Sequence, residues 1–103
     1  MQDLIIINNN LASASPYALI IQEFKKIHKR DRNPGKETAL KEFAYIYFMC
    51  NHNSPYAVYD GEQKELRVID SIFGEGKWKA DKVVKAACDR YTNLMDTHAV
   101  LLL

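Results

Sequence analysis

Apolar and polar positions along this chain recur at helical spacing over most of its length. Between residues 16 and 29, Tyr17, Ile20, Ile21, Phe24, Ile27 and His28 keep three- and four-residue intervals, while Gln22, Glu23, Lys25, Lys26 and Lys29 fill the other face. The pattern predicts a first helix over 16–29. Ser15 followed by Pro16 suits its entry, a capping hydroxyl ahead of a residue that fits the first turn. Asn33-Pro34-Gly35 stops it. A second helix is predicted from Lys36 or Glu37 to about Asn51, its first half amphipathic, with Leu40, Phe43, Ala44 and Tyr47 on one stripe and Lys36, Glu37 and Lys41 off it. Its second half, Tyr45 to Cys50, is apolar all the way round, the pattern of a helix surrounded by partners. A strand over 45–50 competes, because these residues are aromatic or branched, but continuity with the preceding stripe favours the helix.

The segment 57–69 admits two readings. Asp60-Gly61 between Ala57-Val58-Tyr59 and Leu66-Arg67-Val68-Ile69 suits a hairpin turn. The helical reading is better supported: Asp60 can cap, Glu62 and Glu65 lie in the early turns, and Leu66, Ile69, Ile72 and Phe73 form a stripe that Gly74 ends. After Trp78, Asp81 opens a last helix with Val83, Val84, Ala87, Cys88, Tyr91, Leu94 and Met95 inside. Leu4 to Ile7 is a run of branched side chains before Asn8-Asn9-Asn10, read as an extended arm. The expectation is one all-α domain over 1–103: an extended arm (1–15), a small bundle of about four helices (16–95) and an apolar tail (96–103).

Composition narrows the classes. A chain of 103 residues holds one core and leaves little room for a spacious active site. Its 14 Lys and Arg against 13 Asp and Glu give a formal charge of +1, which argues against a protein built to neutralise a phosphate backbone. Cys50 and Cys88 lie far from any CxxC spacing and read as two reduced core thiols. No apolar run approaches the ~18 residues of a membrane span, and the first residues lack the flanks of a signal peptide, so a soluble protein is expected.

Candidate chemistry adds little. Phe43 to Tyr59 carries six of the eleven aromatics, the centre of burial rather than of catalysis. It has no nucleophile–base pair at a recognisable spacing and no phosphate loop, and His28, His52 and His98 lack the spacing of a metal site. No enzyme activity, cofactor or metal is expected. Lys25, Lys26, Lys29, Arg30, Arg32 and Lys36, interrupted by Asp31, form the one charge cluster. It reads as a solvated helix end, with a nucleic-acid accessory role as the alternative from another class.

The ends carry the candidate contacts. Leu4, Ile5, Ile6 and Ile7 at one end and Val100, Leu101, Leu102 and Leu103 at the other are apolar where termini are usually polar. Burying three Leu side chains contributes on the order of 5 kcal/mol before ordering entropy is subtracted. Either these ends fold back on their own core or they dock on a partner, and two such ends together favour docking. The arm would add a strand to another protein's sheet.

Lys41 to Asp60, with its aromatic helix, Ser54-Pro55-Tyr56 and Tyr59-Asp60, followed by Ile69, Phe73, Trp78-Lys79, Asp81, Val84, Ala87 and Tyr91, resembles a family of small virion structural proteins of tailed bacteriophages, including crAss-like phages. The resemblance covers roughly residues 36–95 and implies a non-enzymatic component of a phage particle, at the capsid or at the head-tail junction. An auxiliary capsid protein docking on the major capsid protein is the expected role, a neck or connector component the runner-up, with self-association open. Phe43 and Tyr47 are expected in the core, Ser54, Pro55 and Tyr56 in the turn that sets the third helix against the second, and Trp78 at that same corner.

Overall fold

The structure, a computed structural model, describes residues 5–8, 11–14, 18–35, 37–51, 54–74 and 78–102, with side chains except at 6–8, 11–18 and 95–102. Strands β1 (Ile5–Asn8) and β2 (Leu11–Ala14) precede a short 3₁₀ turn (Ala18–Ile20) and four helices: α1 (Gln22–Arg30), α2 (Glu37–Cys50), α3 (Gly61–Phe73) and α4 (Lys82–Leu102). The all-α bundle read from the periodicity is the observed architecture, with one small hairpin added.

α2 is the centre. The hairpin, α1, α3 and α4 all pack on it. That explains why its second half has no wet face and only Glu37, Thr38 and Lys41 are exposed, while Ala39, Glu42, Phe43, Ala44, Tyr45, Ile46 and Phe48 are all buried. Phe24 and Ile27 of α1, Phe43 and Ile46 of α2, Val68 of α3 and Val84 of α4 are the largest fully enclosed side chains. The Phe24 ring lies 6.2 Å from that of Phe43 and meets Tyr91 of α4 edge-on at 6.3 Å. Both separations fall in the favourable range for aromatic pairs, so these rings tie three helices together.

The N-terminal arm is corrected. β1 pairs antiparallel with β2, Ile5 with Ala14 through to Asn8 with Leu11, so it finds a partner strand within its own chain. Branched residues favour the extended backbone, and folding back satisfies one edge of the arm while β2 lies on α2. α1 also starts later than position 16. Ile21 holds an extended backbone (φ −75°, ψ 125°) between the 3₁₀ turn and the helix and makes no side-chain cap. This turns Ile20 out, 77% exposed, while Phe24 and Ile27 stay in, so Ile20 leaves the stripe to which its spacing assigned it. The Ser15-Pro16 entry lies outside the described residues.

α3 is a helix and not a hairpin arm. Asp60 occupies its N-cap position without a side-chain bond, and only its carbonyl is engaged, by the Lys64 amide at 3.1 Å. Gly74 ends the helix in the left-handed region (φ 70°) and donates its N–H to the Asp70 carbonyl at 3.0 Å, a conformation that a side chain would oppose. Leu66, placed on the inner stripe by spacing, is 60% exposed; Val68 and Ile69 are the buried pair. α4 opens on Asp81, whose carboxylate accepts the Val84 amide at 3.0 Å. Its backbone continues as helix through Leu102, so the segment expected as a tail from 96 onward is the last part of α4.

Candidate functional site

Where α1 ends, α2 begins and α4 begins, charged residues converge that no sequence motif announced. Asp31, just past α1, is buried, and both of its carboxylate oxygens are engaged. One accepts the Asn33 amide at 3.0 Å in the turn, the other the Ala39 amide at 2.9 Å in the first turn of α2. The residue that merely interrupts a basic run in the sequence therefore caps the next helix, where the helix dipole favours negative charge. Beside it Arg30 reaches two carboxylates, bonding Asp81 at 2.6 Å and pairing with Glu42. Glu42 comes from α2 and is buried, and its second oxygen, Oε1, has no hydrogen-bond partner. Residues Arg30, Arg32, Thr38, Glu42 and Asp81 line an open pocket of about 500 Å³ here.

Burial pushes the Glu42 carboxyl above its ordinary value of 4.5, against the pull of Arg30. The Arg30 side chain is 35% exposed to solvent; partial burial opposes its charge, but the bonds to Asp81 and Glu42 outweigh it and raise its pKa. The two ends of one ion pair thus differ because the carboxylate sits deeper than the guanidinium. Asp81 goes the other way, held below its ordinary 3.8 first by the hydrogen bond from Arg30 and then by the Val84 amide. Above pH 4.5 the folded protein holds the Glu42 proton more tightly than the unfolded chain, so this group's contribution falls as pH rises through its folded pKa. The contribution of Asp81 is complete above its ordinary value and is lost as pH drops. Glu42→Gln is therefore expected to remove a decline in unfolding free energy above pH 4.5, read by urea titration across pH. Equal slopes in both proteins would refute the assignment.

A second constellation fixes the α2–α3 connection. The buried Ser54 hydroxyl donates to the Phe48 carbonyl at 2.9 Å and accepts the Tyr56 amide at 3.1 Å, linking an orphan carbonyl near the end of α2 to the turn. Tyr56 packs edge-on against Phe48 at 5.2 Å, and Pro55 is exposed. Phe43 lies fully in the core and Tyr47 is half-buried, edge-on to Phe48 at 5.7 Å. Trp78 is corrected: it stacks on Phe73 at 4.2 Å and meets Tyr45 at 4.9 Å, at the far end of α3 from the Ser54 turn. An indole needs a wide apolar face, and the end of α3 against the middle of α2 supplies it. The Tyr45 hydroxyl donates to Glu65 at 2.9 Å, and burial, then that bond, pushes its pKa well up.

Of the expected partner contacts, Ile5 is corrected. It is 2% exposed and belongs to the protein's own core, because the hairpin lays this side chain on the bundle. Ile6 and Ile7 in β1, and Val100, Leu101 and Leu102 in α4, are placed by backbone alone. Leu4 and Leu103 lie outside the described residues. The structure does not bring the two ends together as one described surface.

The basic run forms part of a groove of about 710 Å³ lined by Ile20, Gln22, Lys25, Lys26, Lys29 and Val83 together with Arg30. Arg30 is committed to Asp81 and Glu42, and the exposed Lys25, Lys26 and Lys29 supply the rest of the groove's positive charge. Among the described residues no group of three or more His, Cys, Asp or Glu is placed to hold a metal ion, and no helix is long and apolar enough to cross a membrane. Two signals for the Arg30 cluster were present in the sequence. Glu42 falls on the spacing of Ala39, Phe43 and Ile46, inside the apolar stripe, and Asp31 precedes a helix start. Neither names its partner. Comparison with protein-family models, curated proteins and solved structures gives no match.

Proposed function

We propose that this protein is a non-enzymatic virion structural protein of a tailed phage, an auxiliary capsid protein that docks on the major capsid protein through the C-terminal end of α4. The observation that supports this reading is the continuity of the α4 backbone from the Asp81 cap to Leu102, which puts Val100, Leu101 and Leu102 in the helix rather than in a separate tail. A preformed helix end binds at a lower entropic cost than a disordered segment. Exposed apolar side chains elsewhere are compatible with further contact: Val58 and Leu66 are 83% and 60% exposed. With Ile5 in the core, docking by β1 is withdrawn from the proposal.

Counting copies in washed virions tests the role. Many copies per particle, cross-linked to the shell protein, are expected; a single ring at one vertex would replace the capsid role by the connector role, and absence from the particle would end both. The lysine groove favours one other reading, a nucleic-acid accessory factor. Salt-sensitive binding to DNA or RNA, lost when Lys25, Lys26 and Lys29 are neutralised together, would select it.

A further inference from the structure

Cys50 at the end of α2 and Cys88 in α4 are distant in sequence and adjacent in space. The Cys50 thiol donates to the Cys88 carbonyl oxygen at 3.8 Å. Both are half-buried and free. The surroundings of the two sulfurs differ. Cys50 is held below its ordinary pKa first by the neighbouring Cys88 thiol, against its burial, and then by Thr92 a turn further along α4 and the charge of Lys64, while Cys88 is pushed up by Cys50 and by burial. Cys50 therefore ionises more readily than Cys88, which gives it the attacking role and Cys88 the resolving one.

We propose that Cys50 and Cys88 are a peroxide-responsive pair that closes into a reversible disulfide between α2 and α4. The Cys50 thiolate attacks hydrogen peroxide, the O–O bond breaks, and the sulfur becomes a sulfenic acid as hydroxide leaves and is protonated to water. Cys88 then gives up its proton and its sulfur attacks that of Cys50. The S–O bond breaks and a second water leaves. Two thiols have lost two electrons and one peroxide has become two waters. Because α2 and α4 already pack together, closure joins two elements in contact and acts by restricting the unfolded chain. The pair does not depend on the virion reading.

The test uses the full, reduced protein treated with a small excess of hydrogen peroxide and mapped by trypsin. Peptides 42–64 and 86–90 are expected as one linked species lacking two hydrogens and separated again by dithiothreitol, with the melting temperature raised by roughly 10 °C in the oxidised form. Cys88→Ser should leave a dimedone-reactive sulfenic acid at Cys50, and Cys50→Ser should leave none at Cys88. Sulfinic acid without a link, links only between molecules, or a link formed only in urea would each overturn the proposal.

Discussion

Phe43→Ala is expected to lower the unfolding free energy by about 3–5 kcal/mol, the range for truncating a fully buried aromatic. Phe43 is 0% exposed at the centre of α2, with the Phe24 ring 6.2 Å away and Phe24 in turn against Tyr91. Removing it strips contacts from a cluster that joins α1, α2 and α4, and a close-packed core relaxes only partly into the void. Domains of this size are stable by about 5–15 kcal/mol, so the loss is a large share of the whole. The urea midpoint should fall with the slope unchanged. Leu66→Ala supplies the contrast, since Leu66 is 60% exposed and surface truncations stay within about 0.5 kcal/mol. Similar losses from the two substitutions would mean that the core is not organised around α2.

The second large effect concerns assembly. With Leu101→Asp and Leu102→Asp combined, incorporation into particles is expected to fall at least about tenfold, because two carboxylates at an apolar contact lose the burial and add a desolvation penalty. The isolated double variant should keep its helical circular dichroism and its urea midpoint, since Phe43, Phe24 and Tyr91 remain in place. A variant that enters particles at the normal level removes the α4 end from the docking proposal. Loss of stability in the free protein would instead mean that this end folds on its own core.

The charged cluster of Arg30, Glu42 and Asp81 shows where sequence reading stops. Spacing assigns each residue to a face of its own helix, and it did so well for the second half of α2, where continuous apolarity marked a helix enclosed on every side. It assigned Ile20 and Leu66 wrongly for different reasons: the extended backbone at Ile21 takes Ile20 off the helix that spacing extrapolated, and Leu66 lies at the margin of the α3 stripe and stays in water. Ile5 failed differently. A branched run fits any sheet edge, and only the register of β1 on β2 selected its own chain.

The sequence by itself determined the number of helices, their order, the stops at Asn33-Pro34-Gly35 and Gly74 and the central place of α2, because propensity, capping and periodicity act within about a turn of each residue. Tertiary structure alone decided which distant groups meet: Arg30 with Asp81, Tyr45 with Glu65 and Trp78, Cys50 with Cys88. Those meetings depend on how the helices cross, and crossing is set by the summed packing of whole faces, which no local pattern encodes.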